Sequence, residues 1–131
     1  MRSLALALLL AAPATAETIS EEIARTGLGP TEARLAALPS PSNEDLFALA
    51  GLRFLGGIEQ ALQLRWKTGV KADWSELPIL RLPIPENPNA IPFQAADFTA
   101  LIKNLDADMD ASREALAQLG DKPFSLPIRI S

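Results

Sequence analysis

The chain contains no cysteine, no histidine and no tyrosine. Without cysteine there are no disulfides, no thiol nucleophile and no lipid-attachment site, which excludes a bacterial lipoprotein. Without histidine the commonest general base and the commonest metal ligand are both missing. A Ser-His-Asp triad, a Cys-His pair and a usual zinc site therefore cannot be built from this chain alone. Positive charge is also scarce: 12 basic against 16 acidic side chains give a net charge of −4. That balance argues against nucleic acid or an anionic membrane as a partner. No apolar run approaches the ~20 residues of a membrane span. What remains open chemically is a site built from carboxylates.

The 131 residues suffice for one small domain behind a leader. Residues 1–16 (MRSLALALLLAAPATA) have the parts of a secretory signal. Arg2 gives a positive start, residues 4–12 form a short apolar core, and Ala14-Thr15-Ala16 is a cleavage site. Cleavage after Ala16 removes Arg2 and moves the net charge from −4 to about −5. The expected location is periplasmic or secreted, with no membrane span after cleavage. Residues 17–131 are expected to form a single small helical domain.

Residues 42–69 organise that domain. Ser42 precedes Asn43, Glu44 and Asp45, a capping-box-like start with acids in the first turn. Lys67 lies in the last turn, and Gly69 can take the left-handed residue that ends a helix. At 100° per residue, Leu46, Phe47, Ala50, Phe54, Leu55, Ile58, Ala61, Leu62, Leu64 and Trp66 fill an arc of about 200°. An apolar arc that wide needs cover from more than one side. Arg65 falls inside it, either frayed at the helix end or buried with an acid. Gly51, Gly56 and Gly57 each weaken a helix by about 1 kcal/mol relative to Ala. Ala50, Gly57 and Ala61 make a smooth stripe that admits another backbone, either for tight packing or as a ligand-contacting surface.

The remaining segments supply the cover. Residues 18–26 read as a short helix capped by Thr18 or Ser20 and ended by Gly27. Gly27-Leu28-Gly29-Pro30 reads as a turn, after which Thr31 caps a second short helix over residues 31–38. Residues 77–92 hold five prolines, which exclude a helix and disfavour a central strand. An extended segment laid over the helices is expected, with Trp66 and Trp74 as aromatic partners for the prolines. A second long helix runs from Gln94 or Ala95 to Leu119. Its stripe of Phe98, Leu101, Ile102, Leu105, Met109, Ser112, Leu116 and Leu119 should face the glycine-bearing helix. Residues 123–131 alternate like a strand that Pro127 restricts to a sheet edge. That pattern breaks off without a polar close, so a fragment, or a strand completed by another chain, stays an open alternative.

No motif for catalysis stands out. Asp106-Ala107-Asp108-Met109-Asp110 resembles the opening of a calcium loop, but Ala111 and Ala117 stand where the loop needs Gly and Glu. A solvated acidic face is the simpler reading. Arg53, Arg65, Lys67 and Lys71 complement the dipole of the long helix or mark an anion site. Asp73, Glu76 and Glu86 flank Trp74 and the prolines, where carboxylates can bind a sugar or act as an acid/base pair, or simply cap turns. The proline run itself could dock in an aromatic groove of a partner.

The leader, the run ALAGLRFLGGIEQALQLRW at residues 48–66, LRLPIPENP at 80–88 and DADMD at 106–110 together resemble a group of uncharacterised exported proteins of alphaproteobacteria. Chains of that group continue past a tail like FSLPIRI, which implies a further C-terminal part. The group carries no activity, so the resemblance assigns no functional residue.

The expected fold is mainly α: a bundle of two long antiparallel helices and two short N-terminal ones, with a proline-rich extended segment and a C-terminal edge strand. The expected function is an exported helical interaction or structural module that binds another protein or its own copy. The alternative is a small-molecule or peptide-binding protein using the groove between the long helices and the proline segment. No catalytic residue, metal ligand or cofactor is expected. Gly57, Arg65, Trp66 and Trp74 mark the surface where a partner or ligand is sought.

Overall fold

The computed structural model describes residues 17–70 and 82–127. The leader, the segment 71–81 with Trp74, and residues 128–131 lie outside the described residues. The described chain is mainly helical: α1 (Ile19–Thr26), α2 (Leu28–Ala36), α3 (Asn43–Thr68) and α4 (Ala95–Ala117). No strand occurs among the described residues.

Local chemistry sets the helix ends. The Thr18 hydroxyl accepts from the Glu21 amide, and the Glu21 carboxylate accepts from the Thr18 amide, closing a capping box on α1. Ser42 and Asp45 do the same for α3. Gly69 stops α3 in the left-handed region at φ 65. The second short helix starts earlier than the sequence suggests. Gly27, at φ 88, is its N-cap, and Pro30 sits in the first turn, where no N–H is required. Thr31 is consequently not a cap. Its side chain is fully buried and donates to the Gly27 carbonyl at 2.9 Å, within 3.2 Å of the Thr26 hydroxyl.

α3 and α4 run antiparallel, and their polar contacts give the register. Asn43 reaches the Gly120 and Lys122 carbonyls, and its own oxygen accepts from the Gly120 amide. Further along, Ser112 Oγ donates to the Ala50 carbonyl, Arg53 to the Ala111 carbonyl, and Gln60 to Asp108. A Cβ placed on Gly57 would lie 2.7 Å from Leu105 Cδ1, so the glycine is what lets α4 come this close. Tight packing is thus the use made of Ala50 and Gly57.

One flank of this hairpin is covered by α1 and α2. Leu35, Ala48, Leu49, Ala50, Leu52 and Ala115 form the core, with Ile19, Ile23, Leu28, Leu38 and Leu126 packed on it. Arg34 holds the buried Glu22 carboxylate through two bonds of 2.7 and 2.6 Å, which locks α1 to α2. Arg53 also reaches Glu32 and so links α2, α3 and α4. At 100° per residue the α2-facing side of α3 (Leu49, Leu52) lies about 120° from the α4-facing side (Ala50, Gly57), and the remaining side (Phe54, Ile58, Leu62) lies about 90° from the α4-facing side in the other sense.

The buried stripes differ from the expected ones. On α3, Leu46 and Ala50 are buried as expected, but Phe47, Phe54, Leu55 and Trp66 are exposed, and Ala48, Leu49 and Leu52 take their place. The reason is α2, which claims the Leu49–Leu52 flank. On α4, Ser112 is buried and Leu101, Leu105, Met109 and Leu119 are half-buried, whereas Phe98, Ile102 and Leu116 are exposed. The seam selects small and polar groups at Asp108, Ser112 and Ala115, and so turns α4 away from its largest side chains. The tail, described to residue 127, forms no ladder. Phe124 meets Phe47 in a tilted ring contact with centroids 5.5 Å apart, and residues 128–131 of the expected edge strand lie outside the described residues.

The glycines give a direct test. Nothing lies within 4 Å of a Cβ built on Gly51 or Gly56. Gly51→Ala and Gly56→Ala should each stabilise the fold by about 0.5–1 kcal/mol. Gly57→Leu should destabilise it by about 1–3 kcal/mol by forcing the helices apart. Urea denaturation of the three variants reads all three changes.

A second test concerns charge. The Arg25 guanidinium, bonded to Glu17 at 2.7 and 2.8 Å, holds the Glu17 carboxyl below its ordinary value despite a small opposing effect of desolvation. A lowered folded value means that this pair contributes stability above the ordinary glutamate range and loses it as pH falls through the lowered value. NMR titration should find Glu17 below the ordinary glutamate range, and Arg25→Gln should return it toward that range.

Candidate functional site

Two surfaces could engage another molecule, one at the C-terminal end of α3 and one along the flank of the hairpin that no helix among the described residues covers. The first is a groove of about 760 Å³ between the end of α3 and the proline segment. Three bonds shape it. Arg65 Nη1 donates to the Leu82 carbonyl at 3.1 Å, Asn87 Nδ2 to the Trp66 carbonyl at 3.1 Å, and the Ile91 amide to the Lys67 carbonyl at 3.0 Å. The Trp66 and Lys67 carbonyls lie in the last turn of α3, where intrahelical donors run out, so the returning chain helps to complete the helix end. Gly69, at φ 65, makes the reversal possible, and a Cβ built on it would lie 2.9 Å from Ala90 Cβ.

Arg65 and Trp66 both line this groove, together with Pro83, Pro85 and Pro88. Arg65 is buried, and of the two sequence alternatives it takes burial rather than fraying. The partner seen is a backbone carbonyl of the proline segment. Trp66 is about half exposed and shares the lining of the groove with Pro83, Pro85 and Pro88. Gly57 is not part of this surface. It is buried under Leu105 in the seam, more than two turns of α3 away from Trp66. Trp74, Asp73, Glu76 and Lys71 lie outside the described residues. Glu86 lines the groove.

The acidic run of α4 divides by face. Asp108 points into the seam and accepts from Gln60 Nε2 at 2.9 Å, while Asp106 and Asp110 are exposed and Asp110 pairs with Arg113. Among the described residues no group of three or more Asp or Glu side chains is arranged to hold a metal ion.

The second surface is the flank opposite α2. Phe54 and Leu55 of α3 and Phe98, Ile102 and Leu116 of α4 stand on it, each 40–53% exposed. Because the helices are antiparallel, the residues that follow the seam in the same rotational sense on each helix fall on one side of the hairpin. Thr99, Lys103 and Asp106 border Phe98 and Ile102 at a shallow depression there. Sequence reading placed every one of these apolar residues in the core. The signal that could have warned otherwise is that α3 is apolar on all three sides, and among the described residues only two sides meet another helix.

The groove has a simple test. Gly69→Ala meets both the left-handed backbone and Ala90, and should destabilise the protein by about 1–2 kcal/mol. In a Trp74→Phe background, in which Trp66 is the fluorophore, the same change should shift the emission of Trp66 as the proline segment leaves it. An unchanged spectrum would separate Trp66 from that segment. Compared with protein-family models, with curated proteins and with solved structures, the chain finds no match in any of the three.

Proposed function

We infer that this is an exported helical interaction module, delivered to the periplasm or the outside by residues 1–16 and cleaved after Ala16. Its work is to bind a protein through the uncovered flank of the α3–α4 hairpin. The observation that carries this reading is the apolar flank itself. Phe54, Leu55, Phe98 and Ile102 lie half exposed along one side of the hairpin of an acidic chain. Apolar patches of this kind on small proteins mark interaction surfaces. No helix among the described residues is long and apolar enough to cross a membrane.

The groove beside Trp66 favours a second reading, a binding site for a small molecule or an extended peptide. Its size falls within the range of ligand pockets, and an aromatic beside prolines suits an apolar or proline-containing ligand.

Photo-crosslinking in the exporting cell distinguishes the two. A crosslinker at position 98 or 102 should capture a protein, whether a different one or a second copy, and one at the solvated Arg25 should not. Adducts confined to position 66 would move the site to the groove. No adduct at positions 54, 98 or 102 would overturn the interaction reading. Mass spectrometry of the same material should give a mature chain beginning at Glu17.

A further inference from the structure

We propose that the uncovered flank of the α3–α4 hairpin pairs with the same flank of a second copy of this chain, giving a dimer whose centre is a four-helix layer. This rests on the interaction-module reading and gives the module its partner.

Area is the first ground. Phe54, Leu55, Phe98, Ile102 and Leu116, at 40–53% exposure, offer roughly 450 Å² of apolar surface per copy when scaled to ordinary side-chain areas. Two copies therefore remove on the order of 1,000 Å² from water with the rim included, which is the size of weak, reversible interfaces. A two-fold contact uses the flank twice and needs no second surface.

Charge is the second ground, and it selects a copy over a different protein. The chain is acidic overall, at −4, so two copies repel over most of their surface. The outer rim of α4 is an exception. Lys103, Asp106, Asp110 and Arg113 are all exposed and carry two charges of each sign. At three- and four-residue spacing they share one edge of the helix. When two such edges meet antiparallel, Lys103 can stand opposite Asp110 of the partner subunit, and symmetry makes that pair twice. A basic partner would instead find its counter-charge on the more acidic remainder of the molecule.

Gly51 is the third ground. It lies on the same flank of α3, next to Leu55 in space, and a Cβ there would touch nothing within 4 Å. Within one chain this glycine only weakens the helix. Across a dimer it is a place where a second helix can come close, as Gly57 already allows within the hairpin.

Sedimentation equilibrium on the purified protein tests the pairing. The expected result is a reversible monomer–dimer equilibrium with half-dissociation between roughly 1 and 100 µM. Raising salt from about 0.05 to 0.5 M should leave it unchanged or tighten it, because screening relieves the net repulsion. Ile102→Glu and Gly51→Leu should each weaken the dimer at least about tenfold. Both sites are exposed, so the melting temperature of dilute, monomeric protein should hold for Ile102→Glu and should not fall for Gly51→Leu. Lys103→Glu should weaken the dimer, and Lys103→Glu with Asp110→Lys should restore it. A protein that stays monomeric at about 100 µM overturns the proposal, as does a dimer indifferent to both Ile102→Glu and Gly51→Leu. If the protein is monomeric yet crosslinks a different protein from position 102, the second copy is wrong and the interaction module stands. If it is monomeric and crosslinks nothing, both fall.

Discussion

The close approach of α3 and α4 is the constraint on which the rest depends. Two backbones can meet this closely only where side chains are small or absent, and the seam supplies Ala50, Gly57, Ser112 and Ala115. Once they meet, the Ser112 hydroxyl finds the Ala50 carbonyl and Arg53 finds the Ala111 carbonyl, so polar groups removed from water are satisfied on the spot. The same closeness decides which way α4 faces. Small residues must lie in the seam, so the larger Phe98, Ile102 and Leu116 are turned outward. The exposed apolar flank is thus a consequence of the seam.

Much of this fold was legible in the sequence, because helix ends are local. Ser42 and the terminating Gly69 were read where the structure has them, and of the two caps read for α1, Thr18 and Ser20, the structure takes Thr18. The start of α2 was misread because Gly27-Leu28-Gly29-Pro30 has the composition of a turn, while a proline in the first helical turn offends nothing. Rotation about the helix axis was less legible. Periodicity gives the width of an apolar arc, but which part of the arc is covered depends on neighbours far away in sequence. Leu49 and Leu52 are buried because Leu35 arrives from α2, and no spacing within α3 announces that. Of the candidate site, Arg65 and Trp66 were found together, since the proline run returns to the end of α3. Gly57 was placed with them on smoothness alone, and smoothness proves to serve the seam.

The short helices act as a clamp on one end of the hairpin. Thr31 and Leu35 are the most deeply buried large side chains, and the Arg34–Glu22 pair fixes α1 across α2. Removing Arg34 would leave a buried carboxylate without its main partner, so the pair matters more through what its loss exposes than through its own attraction. Arg53 extends the clamp into both long helices. Beyond Arg53 this layer stops.

That limit divides the hairpin into unequal halves. The buried apolar side chains Leu46, Leu49, Leu52 and Ala115 all belong to the half beside α2. In the other half the seam is held by Leu105 on Gly57 and by the amide and carboxylate contacts of Gln60, Asn104 and Asp108. Side-chain contacts of that kind, partly open to water, hold an element more weakly than a buried core, so this half opens at a lower free energy. Phe98 and Ile102, the exposed pair on α4, are in this same half. A molecule that covers them binds the closed hairpin and not the open one, and so stabilises the half that the chain's own core does not reach. Cover on the flank and order in the distal half are then a single equilibrium: the weaker the intrinsic seam, the larger the share of its order that comes from whatever occupies the flank.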